Sequence, residues 1–159
     1  MRLLSRVVVA ASLMSLAAVA ETLTPSDAGT FVALDEDGNP VEKILRVTRQ
    51  PSGWKFEDRQ PDGSWLDVSC HGGCDHQPST GEDLFEMFGA APPPGLTPEC
   101  IANAEYAFCH FVKEAADERR DGYVLVVRAG TGWHPISLLR LPETESEQKP
   151  SPELQAAMR

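Results

Sequence analysis

Strong turn signals recur about every ten residues in the first half of the chain, and the runs between them are too short for anything but strands. Asp35-Glu36-Asp37-Gly38-Asn39-Pro40, Pro51-Ser52-Gly53 and Pro61-Asp62-Gly63-Ser64 gather residues that preset or tolerate turn dihedrals. Between them lie Thr30 to Leu34, Val41 to Thr48, Trp54 to Arg59, and Trp65 to Ser69. Trp54-Lys55-Phe56-Glu57-Asp58-Arg59 alternates apolar and polar residues, the mark of a half-buried antiparallel strand. Near the other end, Tyr106 to Val112, Tyr123 to Val127 and Trp133 to Leu141 also read as strands. Tyr123 to Val127 is apolar at every position, which predicts a central strand covered on both faces. Glu114 to Gly122 reads as a charged loop, and Gly130-Thr131-Gly132 as a turn.

The two strand-rich halves meet at Ser69-Cys70-His71-Gly72-Gly73-Cys74-Asp75-His76, which reads as an elbow closed by a disulfide. Helical signals follow it. Ser79-Thr80-Gly81-Glu82-Asp83 offers a capping hydroxyl and acids for the positive end of a helix. Leu84, Phe85, Met87 and Phe88 then fall at helical spacing, and Gly89 is the stop. Pro92-Pro93-Pro94 is a stiff connector. Thr97-Pro98-Glu99, with Thr97 as cap and Pro98 at the first position, predicts a second short helix through Cys100, Ile101 and Ala104. The expected fold is α+β: mainly an antiparallel β-sheet or small open barrel of about seven strands, with two short inserted helices, disulfide-stabilised. Trp54, Phe56, Trp65, Phe108 and Phe111 are the expected core aromatics.

Arg2 and Arg6, the apolar run Val7 to Ala17 and Ala18-Val19-Ala20 occur in the order of a secretory signal peptide. The expected organisation is a signal peptide over residues 1–20, one disulfide-tied domain over 21–141, and a flexible polar tail over 142–159. The destination is the periplasm or the exterior, with no membrane insertion once the signal is cut. Loss of Arg2 and Arg6 takes the formal charge from −10 to −12. That charge disfavours nucleic acid and anionic membranes, which select Lys and Arg, and favours a cationic protein partner.

The four cysteines, Cys70, Cys74, Cys100 and Cys109, read as disulfides in an oxidising compartment. Three pairings are possible. Gly72-Gly73 allows tight closure and favours Cys70–Cys74 with Cys100–Cys109. The alternatives would tie the elbow to the 100–109 segment.

Among chemistries, Cys70, His71, Cys74 and His76 form a potential copper or zinc ligand set, since thiolate and imidazole suit both metals. Oxidation of the thiols competes with that role, so no metal or other cofactor is favoured. Cys109 and His110 are neighbours on a strand and point to opposite faces, so they form no dyad. G-x-S-x-G, H-E-x-x-H and phosphate-loop patterns are absent from the sequence. Glu57-Asp58 and Glu82-Asp83 read as a strand end and a helix start. The acidic turn at 35–40 lacks the carboxylate spacing of a calcium loop. No catalytic residue is assigned, and an enzyme of unrecognised type, with His110 or His134 in a pocket, ranks third. The expected function is an exported non-enzymatic binding protein, of inhibitor or immunity type, acting on another protein. Trp133 and His134, beside a glycine-rich turn, are its candidate partner contacts. The second reading is a periplasmic copper- or zinc-handling protein.

Overall fold

A computed structural model describes residues 23–115 and 118–143, with side chains described outside 113–120. The expected signal peptide and most of the expected tail lie outside the described residues. Nine strands form one antiparallel sheet: β1 (Gly29–Leu34), β2 (Pro40–Gln50), β3 (Gly53–Arg59), β4 (Trp65–Asp67), β5 (Gln77–Pro78), β6 (Leu96–Ala102), β7 (Tyr106–Ala115), β8 (Glu118–Ala129) and β9 (Gly132–Arg140). The order is β4-β3-β2-β1-β9-β8-β7-β6-β5, so each half is a meander and pairing of β1 with β9 joins them. The two edges, β4 and β5, are consecutive in the chain, and the elbow is the segment between them.

The sheet curls into a half-barrel, and aromatic contacts show how far. Phe56 on β3 and Tyr106 on β7 are five strands apart, which in a flat sheet would separate them by roughly 24 Å. Their ring centroids are 5.1 Å apart. A register shift between Val32 and Leu34 in β1 places a bulge in the middle of the sheet, where it adds bend and twist. The concave face buries Phe31, Phe56 and Phe108 completely, with Leu45, Val47, Ile101 and Leu138 around them. Each large side chain so buried is worth about 1.5–3 kcal/mol.

The convex face is covered in part by α1 (Gly81–Phe88), which buries Leu84 and Met87 against Cys100, Ala107, Cys109 and Val126. Thr80 caps this helix in a reciprocal box with Asp83, and Gly89 ends it in the left-handed conformation at φ 68°. Burial of Val126 under α1 and of its neighbours in the concave core makes β8 a strand covered on both faces, as its apolar run implies.

Two sequence expectations fail. The predicted helix through residues 97–104 is strand β6, paired along its length with β7, and Cys100 faces Cys109 across the ladder. The Thr-Pro-Glu start signal is local, and strand pairing overrides it. Pro98 is tolerated because β5 covers only Ile101 and Ala102, leaving the outer side of Pro98 without a neighbouring strand. With the two-residue β5 this accounts for nine strands among the described residues where seven were expected, and for one α-helix among them where two inserted helices were expected. The supposed charged loop at 114–122 is the β7–β8 hairpin, whose ladder runs out to Ala115 opposite Glu118. Backbone pairing there continues beyond the apolar core, so hydropathy alternation carries no trace of it.

Two of the predicted core aromatics lie on the convex face. Trp65 stacks under Arg46 at 4.2 Å, and Phe111 meets Phe88 edge to face at 5.5 Å. Phe31 and Tyr123, not expected among the core aromatics, occupy the concave side with Phe108.

Candidate functional site

The elbow seals the gap between the two edges of the sheet. The Ser69 hydroxyl accepts a 2.9 Å hydrogen bond from the Phe56 amide, tying the elbow to β3. The Tyr106 hydroxyl on β7 donates to the Ser69 carbonyl at 3.0 Å, and His76 Nε2 lies 2.7 Å from the Tyr106 oxygen. With the Tyr106 proton directed at the carbonyl, Nε2–H of His76 is the consistent donor to the phenol oxygen. Asn103 Nδ2 donates to the His71 and Gly73 carbonyls at 3.0 and 2.9 Å, docking the elbow on the β6–β7 turn. Gly72 is held at φ 84° with Glu105 so close that a Cβ would meet its backbone N at 2.8 Å, so only glycine fits there.

The chain has two tyrosines, and burial pushes both phenols above their ordinary value, helped by the Asp67 charge at Tyr106 and the Asp27 charge at Tyr123. A phenol raised in the folded state stabilises the fold fully below its unfolded value of about 10, and that contribution is lost as pH rises beyond it. Alkaline titration should therefore show the tyrosinate ultraviolet band appearing together with unfolding. A reversible titration of Tyr106 at the ordinary value, with the fold intact, would contradict the seam.

At one end the half-barrel opens into a cavity of about 570 Å³. Its walls come from both halves of the sheet and are chiefly apolar: Leu45, Leu66 and Val68 on one side, Leu125, Val127 and Ile136 on the other. Leu66 remains 53% exposed at the opening. The rim is charged, with Lys43, Asp58, His71, Glu105 and Arg128. Lys43 pairs with one oxygen of Asp58, while the other, Oδ1, is buried without a hydrogen-bond partner.

At the opposite end, a short 3-10 turn (Pro25–Asp27) folds Asp27 inward. Asp27 is almost fully buried, yet both its oxygens are bonded: Oδ2 by the Thr24 amide and hydroxyl, Oδ1 by Tyr123 OH at 3.2 Å and His110 Nδ1 at 2.9 Å. His110 stacks on Tyr123 with centroids 4.6 Å apart.

The residues singled out from the sequence distribute as follows. All four cysteines are in disulfides, Cys70–Cys74 and Cys100–Cys109. With both elbow sulfurs bonded to each other, His76 turned to Tyr106 and His71 at the mouth, Cys70, His71, Cys74 and His76 do not converge as a ligand set. Burial lowers the His76 pKa, against the opposing charge of Asp75. Trp133 and His134 point to opposite faces. Trp133 packs beside Met87 and donates to Glu86 Oε1 at 3.2 Å, whereas His134 is exposed on the other side of β9. Glu57 is held by Arg46 and Lys55 on the convex face, and Asp83 caps α1. In the acidic turn, Asp35 Oδ1 accepts from the amides of Asp37 and Asn39, the bonding of a structural turn.

Neither end of the half-barrel is legible in the sequence. The lining residues are ordinary strand apolars, and only curling of the sheet brings them together. Asp27 falls within Glu21 to Gly29, a polar stretch without a strand or helix pattern.

Comparison of the chain with protein-family models, curated proteins and solved structures finds no match in any of the three. Among the described residues no helix is long and apolar enough to cross a membrane, and the paired cysteines fit an oxidising compartment.

Proposed function

We propose that the protein is an exported, non-catalytic binding protein, and that the open mouth of the half-barrel takes a small apolar molecule carrying a hydrogen-bond donor. The observation that carries this reading is the 570 Å³ cavity, which falls in the size range of small-molecule sites and has their composition, apolar walls with a few polar groups. The polar contact comes from the rim, where Asp58 and Glu105 bring carboxylates that accept from a donor. Disulfides, the signal-like leader and the acidic charge support export.

The test uses N-phenyl-1-naphthylamine, an apolar fluorophore with one N–H. Saturable binding at one site per chain is expected, and Leu125→Trp, which fills the cavity, should weaken it at least about tenfold, or about 1.4 kcal/mol. A melting curve of the variant separates filling from misfolding, and Ile136→Trp serves if the first variant unfolds. Failure of the folded wild type to bind saturably would overturn the reading.

A protein target, as for an inhibitor or immunity protein, is the second reading, favoured by the formal charge of −12 without residues 1–20. On that reading a cationic protein places an apolar side chain in the same mouth at Leu66. Inhibition of a cationic hydrolase, abolished by Leu66→Glu, would select it over the small-molecule reading.

A further inference from the structure

The end opposite the mouth holds an arrangement that the binding cavity does not use. Asp27, Glu99 and His110 come from three separate segments, the 3-10 turn, β6 and β7. One potential ligand atom from each lies within 4.8 Å of the others. Glu99 and His110 are direct cross-strand partners in the β6–β7 ladder. Two features are unexplained by the fold itself. Glu99 is half-buried near the carboxylate of Asp27 and makes no hydrogen bond or ion pair among the described residues, so two like charges are brought together. His110 is 8% exposed, and its Nε2 is buried without a hydrogen-bond partner. The Asp121 oxygen nearest to Nε2 is 3.8 Å away, beyond hydrogen-bond range.

We propose that Asp27, Glu99 and His110 bind a divalent first-row transition cation, of which zinc and manganese best suit one imidazole and two carboxylates. Calcium and magnesium fit less well, since they require a shell of oxygens. Asp27 Oδ1 and His110 Nδ1 are 2.9 Å apart. Two ligand atoms each about 2.1 Å from one ion stand about 3.0–3.4 Å apart, so small adjustments admit the ion. Asp27 is pre-aimed, because Thr24 holds its other oxygen. The His110 ring is fixed by its stack on Tyr123. On binding, the cation takes the lone pair of Nδ1, and a ring that held its one proton on Nδ1 then carries it on Nε2, with no net proton released. The ion would fasten the segment around Asp27 to the sheet, so binding would be read as stability.

The experiment uses the full exported chain, stripped with chelator and titrated calorimetrically with zinc chloride and then manganese chloride, with melting followed in parallel. One ion per chain and a raised melting temperature are expected with at least one of the two metals. Glu99→Gln should lower affinity at least tenfold while leaving metal-free melting unchanged or higher, because it removes a repelling charge without breaking a bond. His71→Gln, at the elbow, should bind as the wild type does. The proposal is overturned if the wild type takes up neither ion, if Glu99→Gln binds as tightly as the wild type, or if His71→Gln abolishes uptake.

Discussion

Phe56→Ala is expected to destabilise the protein by about 3–5 kcal/mol, a large share of the roughly 5–15 kcal/mol available to a domain. Phe56 is fully buried where the two edges of the curled sheet approach. Its ring meets Tyr106 at 5.1 Å, Phe108 at 5.9 Å and His76 at 5.0 Å, so it touches β7 and the elbow as well as its own strand. Truncation removes the ring and leaves a void that neither half can fill without shifting the other. Its backbone amide is held by Ser69, so the main chain cannot collapse inward cheaply. Urea unfolding would measure the loss. Phe56→Leu keeps most of the volume and should cost much less, about 1–1.5 kcal/mol. A cost below about 1 kcal/mol for the alanine variant would show that the seam does not hold the edges together.

The distinction between what the chain announces and what it conceals follows the range of each interaction. The four first-half strands and the cap of α1 depend on neighbours in sequence: alternation from Trp54 to Arg59, turn residues at Pro61-Asp62-Gly63, the Thr80 to Asp83 box. These are legible because the physics that fixes them is local. Strand β6 is not, since Thr97-Pro98-Glu99 resembles a helix start and becomes a strand only through pairing with β7 and the Cys100–Cys109 link. The elbow's role as a bridge is visible as a cysteine-closed junction between halves, but what it bridges is visible only once β4 and β5 are seen to be the two edges of one sheet. Both candidate sites depend on curl. Leu66 and Ile136 become walls of one cavity, and Asp27 meets His110, across sequence separations that no periodicity encodes. Alternation does say that Trp133 and His134 cannot act as one contact, because neighbours on a strand face opposite ways.

Removing both disulfides is expected to cost about 4–5 kcal/mol in total, and the two bonds should differ in what else they disturb. By loop closure alone, the four-residue separation of Cys70–Cys74 is worth roughly 2 kcal/mol and the nine-residue separation of Cys100–Cys109 roughly 2.5 kcal/mol. The two bonds share no partner in the hydrophobic clusters, so alanine substitutions at each pair should add within about 0.5 kcal/mol. Their local effects should diverge. Cys100–Cys109 joins strands that a continuous ladder already holds in register, and α1 covers it, so its loss should lower global stability while leaving the mouth as it was. Cys70–Cys74 instead shapes the loop that carries Gly72 against Glu105 and offers the His71 and Gly73 carbonyls to Asn103. Its loss should speed exchange of the Phe56 amide, whose acceptor is Ser69 at the start of that loop, and weaken ligand uptake at the adjacent rim. Equal effects of the two substitutions on exchange at Phe56 would mean that the elbow closes the gap by its backbone path alone. Unequal effects would tie the covalent link in the elbow to the shape of the mouth, and so to the binding proposed for it.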